Sequence, residues 1–191
     1  MKVVDNTEHV QWMQNIVGQL EEPFKTLCRI PLNIDTALAI KFRSAPGAST
    51  HHHAYIGGLA IHTSEVVGFC HQMAGHGVNR NVLITAAIWH DVGKVDEYEF
   101  APGMDKYQTT PRRGQIGHLI DSTYMFLRES QGIFDDGLLS VEDRDAILHC
   151  MLSHHGRREW GAAVEPETIE AFILHSADML SMQKAKREER R

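Results

Sequence analysis

The sequence His90-Asp91-Val92-Gly93-Lys94 constrains this chain more than any other stretch. It follows an apolar run from Asn81 to Trp89, which predicts a buried helix. Buried ionisable side chains cost free energy unless they are paired or coordinate a metal ion. We therefore expect the imidazole and the carboxylate at the end of this helix to bind one cation. The second oxygen of Asp91 is then free to reach a second cation.

The composition excludes several classes of protein. With 191 residues, of which 42% are hydrophobic and 23% charged, the chain is typical of one globular domain. No apolar run is long enough to span a bilayer, and the first residues lack the apolar core of a signal peptide. Cys28, Cys70 and Cys150 show no CxxC spacing, so we expect reduced thiols in a cytoplasmic protein without a membrane partner. The net charge of −6 argues against a global field that attracts nucleic acid.

Apolar spacing predicts an all-α protein with a metal site between its helices. Asp35 is the predicted N-cap of a helix that follows Pro31. The stretch 95–114 is rich in Pro and Gly and predicts an irregular excursion over a site, with at most a small hairpin. The predicted helices are 5–22, 24–42 with a break near Pro31, 59–73, 81–90, 115–130, 142–153 and a last helix from Pro166.

Several polar residues occur where helices should be apolar. Asp178 is the most informative, because aspartate is costly inside the apolar run from Ala171 to Leu180. A single buried histidine is more often a hydrogen-bonded core residue, but the whole set indicates a metal site. Mixed nitrogen and oxygen ligands favour Mn, Fe, Co, Ni or Zn over calcium, and a second ion bridged by Asp91 would suit displacement at phosphorus. The set comprises His62, His90, Asp91, His118, His154, His155 and Asp178.

The order His62, His90-Asp91 and Asp178 resembles the signature of the HD-domain superfamily of metal-dependent phosphohydrolases. His118 and His154-His155 resemble its multi-histidine branch, whose members bind two or more metals. The resemblance is closer to the HD domain of YhaM-type 3′→5′ exoribonucleases and covers roughly residues 50 to 182. It rests on the sequences HHAYIGGL from His52, HDVGK from His90, LSHHG from Leu152 and LHSAD from Leu174. His51-His52-His53 before Gly57-Gly58 is also similar to the HD-like region of certain conjugative relaxases, which are much longer proteins.

The resemblance implies a ligand set and a domain layout. His62, His90, Asp91 and Asp178 would hold a first ion, and His118, His154 and bridging Asp91 a second. His155 would bind metal, contact phosphate or support a ligand. We expect two divalent ions, manganese first, with Fe, Co, Ni, Zn or Mg as alternatives, and catalytic roles for Asp91, His90 and Lys94. The layout is an N-terminal helical extension packed on the core (1–50), an HD phosphohydrolase domain (51–182) and a charged tail (183–191).

Six residues are candidates for binding the substrate. Lys94 would offer its charge to a phosphate, or would be a solvated lysine that caps a helix. Trp160 would stack on a base beside two arginines that clamp phosphate, or the three would form a solvated loop. His175 would orient a ligand or be a plain core residue. The candidates are Lys94, His53, Arg157, Arg158, Trp160 and His175.

We expect a phosphohydrolase or phosphodiesterase that hydrolyses nucleotide phosphoesters or short nucleic-acid 3′ ends by a metal-activated hydroxide. One alternative is a nucleoside-triphosphate phosphohydrolase or a cyclic-dinucleotide phosphodiesterase, and another is a non-catalytic nucleotide-sensing module. The exoribonucleases carry an N-terminal OB-type domain, whereas the fifty residues before the motif here predict helices. We therefore expect a nucleotide or short oligonucleotide as partner, with long nucleic acid and a homo-oligomer left open.

Overall fold

The computed structural model describes residues 3–33, 35–49, 53–104 and 106–188. His51 and His52 of the predicted motif, and the end of the predicted tail, lie outside these residues. The all-α prediction is confirmed, and no described helix has the length and apolarity that a membrane crossing needs. The helices are α1 (Thr7–Val17), α2 (Phe24–Leu32), α3 (Ala37–Ser44), α4 (Gly58–Met73), α5 (Arg80–Trp89), α6 (Pro111–Gln115), α7 (His118–Asp135), α8 (Val141–Ser153) and α9 (Ile169–Glu188).

Helix α5 is the centre of the bundle. Its residues from Val82 to Trp89 are all buried, because α2, α4, α8 and α9 pack around it. A helix surrounded on all sides needs apolar residues on every face, as this sequence provides. Its last residue, Trp89, packs edge to face on Phe126 of α7 and donates its indole N–H to the carbonyl of Leu27 at 3.1 Å. These contacts fix the end of α5, where the His-Asp pair follows.

The three N-terminal helices belong to the same apolar cluster as α4 and α5. Asn6 ties them to the start of α4 by donating to the carbonyls of Arg43 and Gly57 at 2.7 and 3.3 Å. The predicted N-cap of α3 is wrong by one residue. Thr36 caps the helix, because its hydroxyl accepts the N–H of Ala39 at 3.1 Å. The predicted boundary at residue 50 between extension and domain stays a prediction.

The stretch 95–114 is more regular than predicted. Strands β1 (Tyr98–Ala101) and β2 (Lys106–Thr109) form an antiparallel hairpin, with Tyr98 opposite Thr109. The hairpin alternative is therefore confirmed. Short 3-10 turns precede the hairpin at Val92–Asp96, lie between its strands at Pro102–Met104 and follow α8 at Arg158–Trp160.

Several predicted helix boundaries are wrong. Helix α1 ends at Val17, five residues before the predicted end, and α7 begins at His118, three residues after the predicted start. Helix α7 also passes Ser130 and ends at Asp135, and Gly137, two residues later, adopts a left-handed conformation with φ of 70°. Gly132 does not end the helix, although glycine is a weak helix former. Helix α9 begins at Ile169, three residues after Pro166.

Candidate metal centre

Seven side chains predicted as ligands converge where five segments meet. His62 lies on α4, His118 begins α7 and Asp178 lies on α9. His90 and Asp91 follow α5, and His154 and His155 follow α8. His118 and His155 are half-buried, and the other five are buried.

Gly93 explains why the His-Asp pair lies so close to α7. A Cβ atom at this position would come within 2.5 Å of both the His118 carbonyl oxygen and the Ser122 nitrogen. The Gly93 N–H donates to the Ser122 hydroxyl at 2.8 Å. Glycine in the HDVGK sequence therefore allows the turn after α5 to lie against the start of α7, and it brings His118 to Asp91.

The ligand atoms form two groups. In one, His62, His90 and Asp91 each offer an atom, and these atoms lie within 4.8 Å of one another. Asp178 joins this group, because its Oδ1 lies 3.1 Å from His62 Nε2. In the other, atoms of His118, His154 and His155 satisfy the same limit of 4.8 Å. Imidazole nitrogens face each other in both: His62 and His90 Nε2 atoms are 3.4 Å apart, and those of His118 and His155 are 3.1 Å apart.

Asp91 lies between the two groups and turns one oxygen to each. Its Oδ2 is 3.3 Å from His62 Nε2 and 3.5 Å from His90 Nε2. Its Oδ1 is 3.5 Å from His118 Nε2 and 3.8 Å from His154 Nε2, and it is buried without a hydrogen-bond partner. An unpaired carboxylate oxygen in the interior is costly. An ion among these nitrogens would remove that cost.

Backbone carbonyls orient two of the histidines. The Nδ1–H of His90 donates to the Ala87 carbonyl at 2.8 Å, and that of His154 to the Met151 carbonyl at 2.6 Å. A carbonyl only accepts, so the proton of each neutral ring lies on Nδ1. The lone pair of Nε2 is then directed into the site, as a metal ligand requires.

Glu97 orients His118 and was not identified in the sequence. Its Oε1 accepts both the backbone N–H of His118 at 2.7 Å and the ring Nδ1–H at 3.1 Å. Burial raises the pKa of Glu97, but the bonds from His118 outweigh burial and hold it below its ordinary value. The sequence contains no clear signal for Glu97, because its burial depends on the hairpin that follows.

Glu65 and Ser181 orient His62 and were also missed. The Ser181 hydroxyl lies 2.9 Å from His62 Nδ1 and donates to Glu65 Oε2 at 2.7 Å. It therefore accepts the His62 Nδ1–H. Both residues could have been found, since each lies three positions after a predicted ligand on the same helix face, Glu65 after His62 and Ser181 after Asp178.

All seven candidate ligands lie within a region of the chain that matches a known protein family. The sequence model of the HD domain family matches residues 59–183, more than half of the chain. The chain belongs to the HD domain family. No solved structure gives a significant match.

Curated relatives of this HD protein are named 3′-5′ exoribonuclease YhaM. That of Listeria monocytogenes serotype 4b (strain CLIP80459) is 33% identical over 141 residues, which cover 73% of this chain and 43% of the relative. That of Bacillus subtilis (strain 168) is 30% identical over 142 residues, with the same coverage of 73% and 43%. That of Bacillus velezensis is 26% identical over 179 residues, or 93% of this chain and 54% of the relative. The chain spans about half the length of these relatives, or less.

Burial and charge set the protonation of the HD site. Burial, followed by the neighbouring His155, holds the pKa of His154 well below its ordinary value, so this ring is neutral. Burial opposes charge on His62, but its bonds to Asp178 and Asp91 raise its pKa to about 9. Burial also disfavours ionised Asp91, but Lys94 and His90 outweigh burial and keep its pKa well below the ordinary range. The carboxylate is therefore available as a ligand at neutral pH.

A cavity of about 450 Å³ opens over the candidate ligands and is lined by members of both groups. Lys94 lines it, with 16% of its side chain exposed and its Nζ 2.6 Å from Asp91 Oδ2. The alternative of a solvated lysine at a helix end is therefore wrong. His53 also lines the cavity, and its Nδ1 lies 2.9 Å from the Tyr55 hydroxyl. The lining comprises Gly47, Ala48, His53, His62, Asp91, Lys94, His154, His155, Trp160, Asp178, Met179 and Met182.

Of the residues after the His-His-Gly turn, Trp160 lines this cavity. Arg157 and Arg158 are exposed and do not line it. Arg157 pairs with Glu159 at 3.2 Å and lies over the Trp160 ring at 4.9 Å. His175 stacks near Trp160, with ring centres 6.3 Å apart, and lies 2.8 Å from the His154 carbonyl through Nδ1. Substrate contacts by these residues stay predictions.

Proposed function

We propose that this chain is a divalent-metal-dependent phosphodiesterase that removes nucleotides from the 3′ ends of short nucleic-acid strands. One observation carries the proposal. The buried carboxylate of Asp91 turns one oxygen to His62 and His90 and the other to His118 and His154. A carboxylate in this position would bridge two ions, and paired ions suit displacement at phosphorus.

The residues fit such ions. Asp91 Oδ1 is buried without a hydrogen bond, and His90 and His154, whose Nδ1–H groups donate to carbonyls, would direct Nε2 towards the Asp91 carboxylate. Imidazole with carboxylate suits Mn, Fe, Co, Ni or Zn, whereas Mg prefers oxygen ligands. We keep manganese as the first candidate. His62, His90, Asp91 and Asp178 would hold one ion, and His118, His154, His155 and Asp91 the other.

The ions would supply Lewis acidity and lower the pKa of a water molecule. The protein would supply position and charge. Lys94 lies at the cavity surface, where Asp91 keeps the pKa of Lys94 above its ordinary value against the effect of burial. This ammonium would contact a phosphate oxygen of the substrate. Glu97, Ser181 and Glu65 would hold His118 and His62 in place.

The relatives support the choice of substrate. Their name gives 3′-5′ exoribonuclease activity. All seven predicted ligands lie together, which argues against a non-catalytic sensing module. We do not favour a nucleoside triphosphatase, because the matched relatives act on RNA according to their name.

The test combines metal analysis with turnover. Purified protein should contain divalent metal, hydrolyse short RNA from the 3′ end, lose activity with EDTA and regain it with Mn²⁺. Asp91→Asn should lower kcat/KM by more than about a hundredfold, since even residues that only support metal ligands cost about 10- to 100-fold. His118→Ala should reduce metal content without emptying the site.

Asp135→Asn, an exposed change at the end of α7, is the matched control and should behave as wild type. Melting temperature and circular dichroism check that each variant is folded. Undiminished hydrolysis by Asp91→Asn, or by metal-free protein, would refute the proposal.

A further inference from the structure

The cleft over the metal centre has two compartments. Beside the first cavity of about 450 Å³ lies a second of about 530 Å³. Both are lined by Gly47, Ala48, Lys94 and His155, so they adjoin along these residues. Each volume lies within the range of about 300 to 1,000 Å³ typical of small-molecule sites. The cleft therefore has room for two bound units on either side of a common boundary.

The boundary runs beside the second group of ligands. His62, Asp91, Asp178 and His154 line the first cavity, whereas His118 lines the second. Lys94 and His155 line both. A phosphate held over Asp91 would contact this boundary, and its two ester substituents would extend into different cavities.

The walls of both cavities suit nucleosides. The first contains Trp160, Met179 and Met182 beside the ligands. The second contains Tyr98 and Ile116, together with Leu119 and Ile120 of α7. Aromatic and apolar side chains bind the flat faces of bases without selecting the sequence.

The residues around the second cavity suit a nucleic-acid strand that leaves the site through this cavity. Its rim continues from exposed Ile116, before α7, to exposed Ile120 and Tyr124, which lie one helical turn apart on α7. Arg113 also lines this cavity, 40% exposed and over the Tyr98 ring at 5.7 Å. Its guanidinium is placed to contact the phosphate that follows the nucleoside in this cavity.

We propose that the cavity beside His118 binds the nucleoside on the upstream side of the scissile phosphate, while the cavity beside Trp160 binds the 3′-terminal nucleoside. The inference rests on the proposed function. It makes a strand of two nucleosides with a 5′ phosphate, such as pUpU, the smallest substrate that fills every contact. UpU lacks the phosphate for Arg113, and bis(p-nitrophenyl) phosphate lacks both nucleosides.

The test removes an apolar contact from the second cavity by Ile120→Ala, a change at a half-exposed position of α7. KM for pUpU should rise about fivefold, because the base loses a contact worth about 1 kcal/mol. The ratio of kcat/KM for pUpU to that for bis(p-nitrophenyl) phosphate should fall by a similar factor. Ile116→Ala, which enlarges the same cavity, should also lower this ratio. Leu138→Ala, at an exposed position outside both cavities, is the control and should leave both rates unchanged.

The outcomes separate the two proposals. Equal losses of kcat/KM on both substrates, or no loss of kcat/KM on pUpU, would refute the subsite while leaving the proposed function intact. If wild-type protein hydrolyses neither substrate, the proposed function fails. Calorimetric binding of pUpU to the wild-type and Ile120→Ala proteins then still tests the subsite, and equal affinities would overturn it.

Discussion

Replacing Glu65 with glutamine would test how the protein holds His62. The Glu65 side chain is 9% exposed and contacts three partners, His53, Ser181 and Lys184. Burial raises its pKa, but bonds from His53, Lys184 and Ser181 outweigh burial and lower it from 4.5 to about 2. Such a group contributes about 3 kcal/mol to the free energy of unfolding at neutral pH.

The sign of the pH dependence follows from the lowered pKa. The unfolded chain protonates Glu65 near pH 4.5, before the folded protein does, so the contribution is present above this pH and is lost as pH falls towards 2. Glu65→Gln should therefore be less stable at pH 7 by up to about 3 kcal/mol, because glutamine keeps an acceptor for Ser181 but no charge. The difference from wild type should shrink as the pH falls through this range.

Urea denaturation of metal-free protein at pH 7 and pH 3.5 measures this difference. Glu167→Gln, at an exposed position, is the matched control and should show no such change. Metal titration adds a second measurement, since loss of the Glu65–Ser181–His62 chain should weaken metal binding about 10- to 100-fold. A stability difference that does not vary with pH would refute the conclusion that Glu65 is ionised and hydrogen-bonded in the folded protein. Unchanged metal affinity would refute its role in orienting His62.

Two further predictions concern packing and substrate length. Gly93→Ala should destabilise the protein by about 1–3 kcal/mol in thermal denaturation, because its Cβ would meet the backbone of α7. Gly132→Ala is the control and should not destabilise the protein, since nothing lies within 4 Å of the added atom. Equal melting temperatures of the two variants would contradict the close approach of Gly93 to α7. Early product ladders from long single strands should show distributive release, because Lys94 and Arg113 are the cations that line the two cavities among the described residues. Processive degradation of long strands with a steep salt dependence would contradict distributive release.

The convergence of the candidate ligands could be predicted, because buried charge is visible in sequence. His90, Asp91 and Asp178 interrupt patterns that otherwise require apolar residues, and the structure places all three at one site. The bridging position of Asp91 was predicted, but the geometry that brings His118 to its second oxygen could not be. It depends on the approach of α7 to the turn at Gly93, which is a tertiary contact.

Residues that depend on irregular segments were harder to find. Glu97 reaches His118 from the turn before the hairpin, in a stretch without helical periodicity. The segment between the predicted helices 24–42 and 59–73 contains Gly47 and Ala48, and nothing in its composition indicates that they line both cavities. A contact within this irregular segment holds Gly47, since its N–H donates to the His53 carbonyl at 2.9 Å.

The central helix explains why the chemistry lies where it does. Because α5 is enclosed by other helices, its polar continuation His90-Asp91 is buried as well. Each neighbouring segment must therefore offer a partner to these groups, and α4, α7, α9 and the turn after α8 supply His62, His118, Asp178 and His154. The arrangement leaves Asp91 Oδ1 without a hydrogen bond, a cost that a bound cation would remove. A ligand that binds only the folded chain stabilises it, so occupancy of this centre and stability of the bundle should be linked.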